Sequence, residues 1–169
     1  TWSDPDVAIR QARAVYDALC GVAPDHKTAF EARLADLEQD LNKLAEELDD
    51  TLHQRSIRWL SAKPLFHYLL SRYDATIEVL HWEAAETLES SQWDSLTSRL
   101  SGKPAMLLWS TAPSEATRDR LAKLGVQCLV LRTAAGRPSE GDFLSVMREN
   151  VDVIRSALKS RSESTNQES

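Results

Sequence analysis

The sequence has few residues able to do chemistry. His81 and Glu83 stand two apart at the end of an apolar run, and an imidazole beside a carboxylate offers two good ligands for zinc or a similar ion. Two donors do not complete a site, and a strand-end His and Glu more commonly bond backbone or a neighbouring lysine. His67 follows Lys63 by four residues, a spacing that puts both on one helix face near the same crevice. The other two histidines, His26 and His53, fall at helix edges, where surface or capping roles are expected. No GxSxG elbow, HExxH pair, GxGxxG turn after a strand or GxxxxGK[ST] loop is present, so a binding module is expected rather than an enzyme.

Holding such residues requires a core, and 169 residues with 42% hydrophobic and 27% charged content suffice for one domain. No apolar run reaches the ~20 residues of a membrane helix, so membrane insertion by this segment is not expected. A net charge of -6 argues against nucleic-acid or anionic-membrane partners. Cys20 and Cys128 lie in apolar contexts on different elements and are expected to be buried free thiols.

The patterning divides the chain into a helical connecting segment (1–53), an α/β lobe (54–160) and a polar tail (161–169) expected to be disordered. Asp4 before Pro5 signals a helix start, with Val7, Ala8, Ile9, Ala12, Val15, Tyr16 and Leu19 following at helical spacing until Gly21. After Pro24, residues Phe30, Leu34, Leu37, Leu41, Leu44 and Leu48 form a stripe of about three heptads. It predicts either an amphipathic helix laid on its own domain or a dimer seam.

From Ser56 the period changes. Strands are predicted at Ile57–Leu60, Thr76–Leu80, Ala105–Trp109 and Gln127–Leu131, with helices near Pro64–Tyr73, Gln92–Leu100, Glu115–Leu124 and Asp142–Leu158. This alternation predicts an α/β fold: a four-stranded, mostly parallel sheet with flanking helices, preceded by the long helical segment. Ligands of such sheets sit beyond the carboxyl ends of the strands. Ala62-Lys63, His81-Trp82-Glu83, Ser110-Thr111 and Arg132-Thr133 are thereby singled out.

With the strand ends located, a resemblance emerges. Trp2-Ser3-Asp4-Pro5, the run Lys63 to Leu69 with Arg72-Tyr73, Val79 to Glu83, and Gly141 to Asn150 are similar in order and spacing to segments of the ZnuA-like or TroA-like metal receptors of ABC importers. The resemblance implies a chelatase-like receptor of two α/β lobes joined by a backbone helix, holding zinc or manganese in the cleft. This chain corresponds to the C-terminal lobe and its connecting helix. An N-terminal lobe and an importer permease are the implied partners. A periplasmic or lipid-anchored location is also implied, with any signal or anchor segment upstream of Thr1.

The metal-ligand positions are where the chain departs from that pattern. Lys63 stands where the family has a histidine after the first strand, Ser110 where an acidic residue is often seen, and Arg132 where a carboxylate is expected. An ammonium or guanidinium has no lone pair to give a cation. Three outcomes are open. Lys63 and Arg132 pair with Glu83 or Glu86 in a metal-free structural lobe, or they hold an anionic ligand, or a metal site is rebuilt from His67 and His81.

Overall fold

A computed structural model describes residues 4–53, 57–73, 75–100, 102–136 and 140–167. Trp2, Ser3 and Ser56 lie outside the described residues, as does the very end of the chain. Helix α1 (Pro5–Val22) begins where Asp4 accepts a hydrogen bond from the Asp6 N–H at 3.0 Å and Pro5 presets the first turn. Gly21 is still helical, so the helix ends one residue later than its glycine suggests. A short 3-10 turn (Pro24–His26) leads into α2 (Lys27–Leu52), which starts beside His26 and ends at His53.

The four strands are β1 (Arg58–Ser61), β2 (Ile77–Val79), β3 (Ala105–Trp109) and β4 (Val126–Val130). They form one all-parallel sheet in the order β2-β1-β3-β4. Between and after them come α3 (His67–Ser71), α4 (Ser90–Leu100), α5 (Glu115–Lys123) and α6 (Phe143–Gln167). The predicted β3 coincides with the observed strand, and each of the others differs by one residue at either end.

Two expectations fail more clearly. The helix expected at Pro64–Tyr73 is one short turn, because residues 64–66 are spent turning from the strand end so that Phe66 enters the core. Lys63 is therefore not on a helix face with His67. At the other end, α6 continues to Gln167 through the polar segment expected to be disordered. That segment lacks proline and glycine, and extending an existing helix adds one hydrogen bond for each residue fixed.

Alternating strand residues feed two hydrophobic layers. Trp59, Met106, Leu108 and Leu129 face a cluster with Ile9 of α1, Leu41, Leu44, Leu48 and Leu52 of α2, and Val151 and Ile154 of α6. Leu60, Leu107 and Val126 face the opposite cluster, with Trp93 and Leu96 of α4 and Leu121 of α5. The C-terminal half of the leucine stripe is thus part of the lobe's own core, while Phe30 and Leu34 are half-buried and Leu37 is exposed. Ion pairs lace the helical layer: Arg13 to Glu38 at 2.7 Å joins α1 to α2, and Arg148 to Asp40 at 3.0 Å joins α6 to α2. Arg72, just after α3, reaches both Asp4 and Asp6 at the start of α1.

Candidate functional site at the strand ends

Because all four strands run parallel, their carboxyl ends share one edge of the sheet. Across that edge stand His81 and Glu83 after β2, Lys63 after β1, Ser110 after β3 and Arg132 after β4.

The loop after β1 is shaped locally. Ser61 is fully buried and its hydroxyl donates to the Lys63 carbonyl, while the Ala62 N–H donates to the Leu108 carbonyl at 2.9 Å. Lys63 is held at the mouth by its own backbone, and its ammonium pairs with the Glu83 carboxylate. Glu83 arrives there because Trp82 anchors its loop. The Trp82 ring is buried against Trp93 of α4 (centroids 5.5 Å) and Trp109 of β3 (6.4 Å), both tilted pairs of the favoured kind. The Arg120 guanidinium lies 4.4 Å above the Trp93 ring and closes the stack from outside.

His81, one residue before the anchor, takes φ of 58° and is exposed. This left-handed turn is uncommon for a side chain with a Cβ, and it lets the chain send Trp82 inward and Glu83 back toward Lys63. His67 opens α3 on its exposed side.

Arg132 pairs elsewhere. Its guanidinium meets Glu149 of α6 at 2.7 Å, not Glu83 or Glu86, the partners named in the metal-free alternative. Its main chain is held by Asn150, whose Oδ1 accepts from the Arg132 N–H (2.9 Å) and whose Nδ2 donates to the Arg132 carbonyl (2.8 Å). Asn150 is 3% exposed, a buried amide with both ends satisfied. Sequence reasoning passed over it and Glu149, although one signal was available: an asparagine amid the apolar positions Val146, Met147, Val151 and Ile154 of a helix.

These residues fit a cation poorly. Among the described residues no group of three His, Cys, Asp or Glu side chains is placed to hold a metal ion. The carboxylate nearest the first-strand position already has an ammonium as its counter-charge. Two pKa shifts occur elsewhere in the lobe. Burial pushes the Tyr73 hydroxyl up to about 12 against the pull of Arg72, and burial raises the half-buried Cys128 thiol. Cys20 is half-buried too, and both cysteines are free thiols, less enclosed than expected. Among the described residues no helix is long and apolar enough to cross a membrane.

Comparison with known proteins shows what this arrangement is built on. The family model described as "ZnuA: Zinc-uptake complex component A periplasmic" matches residues 1–157. The metal-dependent lipoprotein YcdH of Bacillus subtilis superposes with a TM-score of 0.83 at 17% identity, over 92% of this chain and 62% of that one. The Zn(II)-bound ZnuA-like domain of Streptococcus pneumoniae AdcA gives 0.78 at 21% identity, over 92% and 61%. The periplasmic zinc-binding protein TroA of Treponema pallidum gives 0.65 at 22% identity, over 93% and 62%. The chain therefore spans about three-fifths of the length of these structures. No curated protein matches the sequence.

Proposed function

This chain belongs to the ZnuA family of zinc-uptake components, and from that premise we propose that it is the C-terminal lobe of an extracytoplasmic solute receptor serving an ABC importer, with protein cations at its metal position. The family is one of substrate-binding proteins, not enzymes. A first lobe, linked through the α1–α2 segment, and an importer permease complete the reading. The spans left uncovered in YcdH and TroA leave room for such a lobe.

One observation carries the proposal: the Lys63–Glu83 ion pair joins the ends of β1 and β2. The resemblance puts a metal-binding histidine where Lys63 stands. A protonated ammonium there supplies the positive charge a metal would bring and satisfies the carboxylate, yet it donates no lone pair. Arg132 is likewise already matched, by Glu149. With both cations internally paired, a metal-free strand edge is favoured over an anion-binding one.

Calorimetric titration of the chain with zinc and with manganese tests this. The expected result is no binding tighter than about 100 µM, which corresponds to roughly -5.5 kcal/mol. Submicromolar zinc binding that disappears in His81→Ala or Glu83→Gln would overturn the proposal and establish a rebuilt site.

A further inference from the structure

The two edges of the sheet are finished differently. β2, on one side, has three residues, and its Glu78 side chain is paired with Arg99. Short, charged edges discourage pairing with another strand. β4, on the other side, has five residues, Val126-Gln127-Cys128-Leu129-Val130, and no charge among them. Among the described residues nothing pairs with its outer side.

Which groups face outward follows from the ladder. The Leu131 N–H donates to the Trp109 carbonyl at 2.8 Å, so Leu131, Leu129 and Gln127 direct their main-chain groups to β3. By alternation, Val126, Cys128 and Val130 direct theirs away from the sheet. The next outward residue is Arg132, and there Asn150 supplies both an acceptor and a donor, completing the edge as a neighbouring strand would. Below it a groove of about 450 Å³ runs between β4 and α5, lined by Glu115, Arg118, Asp119, Ala122, Gln127 and Cys128 among others. Val130 is 40% exposed beside it.

We propose that the outer edge of β4 is a self-association surface on which a second copy of this chain pairs antiparallel about a two-fold axis at Cys128, joining two four-stranded sheets into one. A two-fold interface must be self-complementary, and this edge is. Antiparallel pairing about Cys128 sets Val126 against Val130 of the other copy and uses the donors and acceptors of the three outward residues. It also brings the two α5 helices side by side in opposite directions. Arg118 of each copy then faces the acidic Glu115 and Asp119 of the other. This inference does not depend on the receptor reading.

Sedimentation equilibrium of the 169-residue chain, from about 5 to 200 µM and with reductant present, is the test. The expected result is a reversible dimer. Val130→Lys should weaken it at least tenfold by putting a charge on the edge. Arg118→Glu should weaken it similarly, and mixing that variant with Glu115→Arg/Asp119→Arg should restore association. Circular dichroism and the thermal midpoint of each variant show whether it is folded, and Gln11→Lys, on the exposed side of α1, serves as a neutral charge control. A chain that stays monomeric to 200 µM overturns the proposal. So does a dimer that Val130→Lys leaves intact but that Val22→Asp, at the exposed apolar end of the helical hairpin, abolishes.

Discussion

Replacing Lys63 by methionine and Glu83 by glutamine, singly and together, isolates the ion pair on which the functional reading rests. Two unit charges about 4 Å apart attract by ~1 kcal/mol in water and ~4 kcal/mol at the effective dielectric of a protein surface. The side chains here retain 34% and 49% of their exposure, so the value belongs toward the lower limit. Ordering a lysine and a glutamate opposes it by a further fraction of the ~2 kcal/mol of rotamer entropy such side chains carry. A coupling energy of about 0.5–1 kcal/mol is therefore expected from a double-mutant cycle in urea, falling by about half in 0.5 M sodium chloride. Each single variant should lower the thermal midpoint by only ~2–4 °C. Coupling below about 0.2 kcal/mol would mean that the two residues do not act together at the strand ends. Coupling above about 2 kcal/mol, insensitive to salt, would mean a desolvated pair and would refute the exposure argument.

Other perturbations probe the frame. Leu44→Ala, at a fully buried position of the leucine stripe, should cost about 2–5 kcal/mol in chemical denaturation, whereas Leu37→Ala, at a 37% exposed one, should cost under ~1 kcal/mol. Asn150→Leu leaves the Arg132 main chain without its partners and should cost about 2–3 kcal/mol, with faster amide exchange at Arg132. Tyr73 is protonated and buried, its pKa raised to about 12, so it contributes stability that is complete below pH ~10 and is lost as pH rises toward 12. A denaturation series should show stability falling by on the order of 2 kcal/mol across that window, and less in Tyr73→Phe. Gly141→Ala should destabilise α6 at its start, since φ is +71° there and a Cβ would strike the Ser145 hydroxyl that bonds Asp142.

Much of the frame was legible in the sequence because it rests on local or periodic rules. Asp4 and Pro5 mark a helix start whatever surrounds them, the spacing of Leu41, Leu44 and Leu48 marks one helix face, and Ala105–Trp109 is a short apolar run bounded by turn signals. Local rules misjudged the stretch from Lys63 to Tyr73, where helical spacing had to yield to the turn that buries Phe66. They also misjudged the end of α6, because composition says nothing of the helix already formed upstream.

The candidate site was legible as a set of positions but not as a set of partners. Lys63, His81, Glu83, Ser110 and Arg132 could be placed at strand ends by counting elements, and the chemistry of lysine and arginine already made them poor metal ligands. Partners depend on which distant segments meet. Glu83 reaches Lys63 because β1 and β2 are parallel neighbours and Trp82 holds its loop, while Glu149 reaches Arg132 because α6 folds back over β4. The sequence by itself determined the elements, their order and the types of charge at the strand ends, since propensity, periodicity and ionisation are properties of residues and near neighbours. Only the tertiary structure decided that each of these cations already has a carboxylate of its own, and that among the described residues no strand pairs with the outer side of β4, because both follow from contacts between residues far apart in the chain.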